Sequence, residues 1–194
     1  MIESGCLTLD AMLPENRRQV ALILYAGDII AKSAVPPVAH VGLTAMLPST
    51  VARLRIGGDG SPTNDVNALS LQQALGVNAA TARLAARSAL HSIAIGRLTG
   101  EERIATLFLE MALCLGMPTP GGWSFEIPLS RGDMADYMAL NPDTLSRHVS
   151  HLRAAGVISM PSRSRAIIRD LAKLDALTPL AQPLRQLCQG TILT

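Results

Sequence analysis

The stretch that decides the fold is Ser130–Gly156, SRGDMADYMALNPDTLSRHVSHLRAAG. Its spacing predicts two short helices joined by a tight turn. The first, Gly132 to Met138, places Met134, Ala135 and Met138 on one face, and Leu140 follows as an apolar plug in the turn. Asn141 is a good N-cap and Pro142 suits the first helical position, where a missing N–H costs nothing. The second helix runs from Pro142 to Ala155 and buries Leu145, Val149 and Leu152 at spacings of four and three. Its other face carries Asp143, Ser146, Arg147, Ser150 and Arg153, short polar groups with an Arg near the N-terminus. A DNA major groove accepts such a helix. An ordinary amphipathic αα-hairpin would show the same periodicity, so the flanking segments decide.

Those flanks extend the pattern. Thr99 with Glu102 is a capping box that opens a helix with apolar Ile104, Leu107, Phe108, Met111 and Leu115, ended by Gly116. Pro118–Gly122 reads as a loop and Phe125-Glu126-Ile127 as a short strand. Val157–Met160 and Ala166–Arg169 read as two strands around the turn Pro161–Arg165. Helix, strand, helix–turn–helix and β-hairpin make a winged helix. The wing tip carries Ser162, Arg163, Ser164 and Arg165, all able to bind phosphate oxygens. From Arg147 to Arg169 five arginines occur with no acidic residue, a local basic patch in a chain whose net charge is only +2.

Upstream, Val66 to Ile95 is a long helical candidate, rich in Ala and Leu and without Pro. Leu69, Leu75, Leu84, Leu90 and Ile93 form a loose apolar stripe. Gly76, Ala79, Ala80 and Ala86 would let a second helix approach closely. About thirty residues span roughly 45 Å, longer than a local sheet requires, which favours dimerisation. The preceding Gly57–Asn64 is a turn-rich linker. Residues 1–56 read as β-rich, with strands Cys6–Leu9, Val20–Leu24, Val38–Leu43 and Val51–Ile56 between turn signals. Four short strands cannot easily cover both faces of a sheet. The tail from Leu177 contains Pro179 and Pro183 and is expected to be ordered only in part.

Composition narrows the function. The chain has 194 residues, 48% hydrophobic and 16% charged, as a globular protein requires, with only 3% aromatics. Cys6, Cys114 and Cys188 lie far apart, with no metal-type spacing, and fit a reducing compartment. The N-terminus lacks the layout of a signal peptide. The longest apolar run, Val20–Ala26, is far too short to cross a bilayer. A soluble, cytoplasmic protein without membrane association is the expectation. No convergent nucleophile–base set or carboxylate pair marks an enzyme.

Two segments resemble the Crp/Fnr family of bacterial transcription regulators. GRLTGEERIATLFLEM, from Gly96, resembles the family's join between dimer helix and DNA-binding domain. PLSRGDMADYMALNPDTLSRHVSHLRAAGVI resembles its helix–turn–helix, with Asp143, Ser146 and Arg147 in the family's pattern of an acidic residue, two spacers, Ser and Arg, closest to the Fnr and FixK branches. More weakly, SGCLTLDAMLPENRRQVALILYAGDII resembles the second half of the family's β-roll sensor. The resemblance implies an α+β chain: a partial, cyclic-nucleotide-binding-like β-roll at 1–57, a dimerisation helix at 64–96, a winged helix–turn–helix at 97–176 and a tail at 177–194. It implies a homodimeric, sequence-specific regulator on an inverted-repeat promoter site, with RNA polymerase as a further partner. Base contacts fall to Asp143, Ser146 and Arg147. Backbone contacts fall to Ser130, Arg131, Asn141, Thr144, His148, Ser150, His151, Ser162, Arg163 and Arg165.

The chain departs from the family in two places. The acidic residue of the reading helix is usually Glu, one methylene longer than Asp143. After Gly27-Asp28, where cyclic-nucleotide binders carry Gly-Glu and later an Arg, the chain reads AKSAVPPVAHVGLTAMLPS. A buried phosphate without a cationic partner is strongly unfavourable, so cAMP is not expected to bind. The oxygen-sensing branch's N-terminal cysteine cluster is missing, and His40 and His91 are isolated, so no cofactor is expected. The alternative is a regulator with impaired DNA binding that dimerises with a full-length relative.

Overall fold

A computed structural model describes residues 1–31, 35, 37–38, 40–54 and 71–189. The architecture is α+β: a small β domain, one long helix and a C-terminal helical head carrying a four-stranded sheet. The expected helical turn at Val66–Ser70, the linker 57–64 and strand residues 55–56 lie outside the described residues.

The β domain comprises β1 (Ile2–Ser4), β2 (Cys6–Leu13), β3 (Arg17–Tyr25), β4 (His40–Ala45) and β5 (Thr50–Val51). β1 was not foreseen, and the expected strand from Val51 shrinks to a two-residue pairing with β1. The order β3-β2-β4 is antiparallel throughout, with β3 at an edge among the described residues. β2 is buried along Cys6–Ala11, and Asp10 is admitted because Arg18 and Thr44 Oγ1 bond to it, at 3.0 and 2.6 Å.

Helix α1 (Leu71–Arg97) runs past Gly76 without a break. It packs inward through Ala80, Leu84, Arg87, His91, Ala94 and Leu98, spaced alternately by four and three. The outward seam has the same spacing: Leu75, Ala79, Ala82, Ala86, Ala89, Ile93 and Gly96. Leu75 and Ile93 on it are 59% and 47% exposed. Two interleaved heptad seams, the inner holding an Arg and a His, look from sequence like one loose stripe.

Helix α2 (Gly100–Leu115) begins at the expected capping box of Thr99 and Glu102 and is buried from Ile104 to Ala112. Its centre forms the main core with Phe125, Met134, Leu145, Val149, Leu152 and Ile168. β6 (Met117–Thr119) occupies part of the expected loop, pairing with β7 (Gly122–Glu126); Pro118 is tolerated because β6 is an edge strand. Then come α3 (Arg131–Tyr137), α4 (Pro142–Ala154), β8 (Ile158–Ser162) and β9 (Arg165–Ile168).

Described residues 177–189 carry more helix than their prolines suggest. α5 (Leu171–Ala176) and α6 (Ala181–Gln189) follow β9, and Leu180, Leu184 and Cys188 are buried one helical turn apart. Pro183 falls in the first turn, where no intrahelical N–H bond is lost. Thr178 ties the entry to α2 through a 2.6 Å hydroxyl contact with Thr106. Cys188 Sγ lies 3.1 Å from Cys114 Sγ of α2, both as free thiols.

Candidate nucleic-acid interface

The turn between α3 and α4 follows from its hydrogen bonds. Ala139 N–H donates to Asp136 O and Leu140 N–H to Ala135 O, with Ala139 at φ +51°. This is the two-bond αL termination that helices usually make with glycine. Leu140 supplies the accompanying apolar contact, which is why it plugs the turn. Arg103 of α2 braces the same place, its Nη1 3.2 Å from Met138 O and 3.3 Å from Ala139 O.

α4 then starts as its sequence predicts. Asn141 Oδ1 accepts from Asp143 N–H at 2.9 Å, and Pro142 occupies the first turn. Leu145, Val149 and Leu152 are buried; Asp143, Ser146, Arg147, Ser150 and Arg153 are exposed on the far side. Arg147 Nη2 donates to Thr144 Oγ1 at 3.2 Å, holding the guanidinium near the helix start. Gly156 (φ +70°) ends the helix with bonds from Gly156 N–H to Arg153 O and Val157 N–H to Leu152 O.

Around α4 stand the other expected contacts. Ser130 caps α3, its hydroxyl accepting from Asp133 N–H, and Arg131 is exposed in the first turn. Burial opposes ionisation of Asp133, but bonds from Ser130 and Arg18 hold its carboxyl below the usual range. Ser162, Arg163, Ser164 and Arg165 are all exposed at the tip of the β8–β9 hairpin. Ile127 N–H donates to Ser164 O at 2.7 Å, so the tip is anchored to the head.

Two further expected backbone contacts, both histidines, are engaged with α2. His151 Nδ1 lies 2.9 Å from Glu101 Oε1, and half-buried His148 packs so closely on α2 that a Cβ on Gly100 would lie 2.6 Å from its Nε2. Conversely, an open groove of about 610 Å³ between α4 and β8 is lined by Ser150, Arg153, Met160 and Arg169. Arg169 is held there by Ser159 Oγ and Gly121 O. Arg153 and Arg169 belong to the basic run, but which side of α4 the wing folds onto was not legible.

His91 projects from α1 toward α3. It stacks on Tyr137 of α3, ring centroids 3.9 Å apart and 9° from parallel, and burial lowers its pKa to about 4. Among the described residues no group of His, Cys, Asp and Glu could hold a metal ion, and no helix is long and apolar enough to cross a membrane.

Residues 102–177 match the Crp-like helix-turn-helix domain family. The transcriptional activator protein FnrL of Cereibacter sphaeroides is 29% identical over 180 residues, covering 89% of this chain and 69% of that protein. The nitrogen fixation regulation protein FixK of Azorhizobium caulinodans is 27% identical over 186 residues, 91% of this chain and 70% of its own. The solved structure of FixK2 from Bradyrhizobium japonicum superposes with a TM-score of 0.68 at 25% identity, covering 92% of this chain and 85% of that one.

Proposed function

Because the chain belongs to the Crp/Fnr family of DNA-binding transcription regulators, on its FixK-like side, we propose that it acts as a homodimer on an inverted-repeat promoter site, without cAMP. The observation that carries this reading is the pairing of two surfaces: the polar face of α4 beside an arginine-bearing wing, and the outward apolar seam of α1. A helix of 27 residues spans about 40 Å, and an exposed Leu–Ala–Ile–Gly seam along it is what a second copy would cover.

Two-fold pairing along α1 sets two α4 helices about 34–36 Å apart, one DNA turn. In that arrangement Arg147 reads guanine O6 and N7, Asp143 faces a cytosine amino group and Ser146 adds a polar or thymine-methyl contact. Ser130, Arg131, Asn141, Thr144, Ser150, Ser162, Arg163 and Arg165 contact phosphates. His148 and His151 do so only if their contacts with α2 yield. RNA polymerase is the further partner of a promoter-bound regulator, and the cytoplasm its place.

A gel-shift titration with an inverted-repeat probe, alongside light scattering, tests the reading. A dimer that prefers the repeat over scrambled DNA is expected. A stable monomer, or equal binding to both probes, overturns it. Asp143, short for its post, favours the alternative of an impaired DNA binder; a dimer with no sequence preference is the outcome that would establish it.

A further inference from the structure

We propose that Arg87 is a positioning residue for DNA binding: by gripping the Gly27-Asp28 turn and Glu110 of α2 with one guanidinium, it sets the angle of the DNA-reading head on α1. The inference rests on the dimeric DNA-binding reading above. Arg87 Nη1 and Nη2 donate to Asp28 Oδ1 and Oδ2 at 3.1 and 2.7 Å, a two-pronged grip on the β domain. Nη2 also donates to Ile23 O at 3.0 Å, and the guanidinium lies 4.9 Å from the centre of the Tyr25 ring. From the other side Glu110 Oε1 comes within 3.5 Å of Nε. The three side chains are only 10%, 6% and 7% exposed.

The position of this cluster gives it leverage. α1 and α2 fold back on each other through Leu98–Gly100, and Glu110 stands ten residues beyond Gly100, about 15 Å along α2. Rocking α2 by about 10° at that corner would carry Glu110 ~3 Å, enough to break its contact. The head therefore cannot tilt without separating a carboxylate from the only cation that the described residues bring to it. Water cannot replace that cation cheaply at a buried site. The Asp28 grip in turn fixes Arg87 to the β domain, so all three parts of the chain meet at one side chain. Burial works against the Arg87 charge, yet Asp28 and Glu110 outweigh it and hold the guanidinium firmly protonated.

An ion pair serving stability alone would lower melting temperature and leave the DNA geometry untouched. The test is therefore half-site spacing. Arg87→Met risks unfolding, since it leaves two buried carboxylates uncompensated. It is accompanied by the shape-preserving triple variant Asp28→Asn, Arg87→Met, Glu110→Gln. Wild-type dimer should bind its best-spaced inverted repeat at least about tenfold more tightly than probes with one or two base pairs added or removed. In the triple variant that preference should collapse to about threefold or less, with affinity for a single half-site changed by no more than about twofold. Hydrogen exchange across Leu98–Arg103, which needs no DNA, should speed by at least about tenfold in the variant while β8 and β9 exchange as before. A folded, dimeric triple variant with wild-type spacing preference and wild-type exchange at that corner overturns the proposal. A wild-type protein indifferent to spacing overturns the dimeric reading itself; unchanged exchange then separately decides against Arg87.

Discussion

Val20 N–H, on β3 at the sheet edge among the described residues, donates to the Asp136 carboxylate of α3 at 2.7 Å. The first helix of the DNA-reading hairpin thus covers a sheet edge that would otherwise be a liability. Gln19 Nε2 adds a bond to Asp136 O at 3.2 Å, and Arg18 bridges Asp10 and Asp133.

Asp136→Ala should therefore cost about 1–2 kcal/mol, the worth of a charge-assisted bond to a partly buried amide. Arg18→Ala, which leaves the buried Asp10 carboxylate with Thr44 but no cation, should cost at least about 2 kcal/mol. Urea unfolding of both variants measures this. Asp133 is a poor substitute for the comparison because it also caps α3.

Arg147→Ala should weaken binding to the specific site by roughly 1–3 kcal/mol and relax the preference at one base pair, leaving non-specific binding almost unchanged. Equal weakening on every probe would show that Arg147 contacts only phosphate.

Replacing Arg163 or Arg165 should weaken all sequences alike and reduce the slope of log affinity against log salt by about one counterion. A slope identical to wild type would mean that the wing points away from the duplex.

Glu at Ala82 or Ile93 should dissociate the dimer at least about tenfold without unfolding the chain, because both positions are exposed in the single protomer. Sedimentation of Ala82→Glu and Ile93→Glu against wild type reads this out.

His91 gives a pH dependence. Its folded pKa of about 4 lies below the usual 6.5, so the unfolded chain binds more protons between these values. Stability from the neutral ring is complete above pH 6.5 and is lost as pH falls toward 4, by up to roughly 3 kcal/mol. Glu110, raised by burial, contributes with the opposite sign, its share fading as pH rises through its folded pKa. His91→Phe keeps a ring against Tyr137 and removes only the histidine part. The difference in stability between the two proteins should therefore grow from pH 4 to 6.5 and then stay level; a constant difference would contradict the assignment.

The head was legible in sequence because each of its elements is locally encoded. Caps at Thr99 and Asn141, and apolar spacing at Leu145, Val149 and Leu152, act over one helical turn. The edges were less legible. Leu180, Leu184 and Cys188 carry helical spacing, but Pro179 and Pro183 drew the eye to loop chemistry. Arg87 and Glu110 gave the weakest signal: an Arg in a helix reads as solvated, and a carboxylate among Leu107, Phe108, Leu109 and Met111 has no partner within its own segment. Their meaning depends on a contact between residues 23 positions apart whose geometry only the folded-back helices create.

The placement of Trp123 has a practical consequence. It is the chain's single tryptophan, half-buried in β7 opposite Ile168 of β9. Indole fluorescence therefore reports from the head alone, while far-ultraviolet dichroism reports mostly from the helices, α1 foremost among them. Recording both in one denaturation experiment would reveal whether head and long helix melt together, with no label introduced.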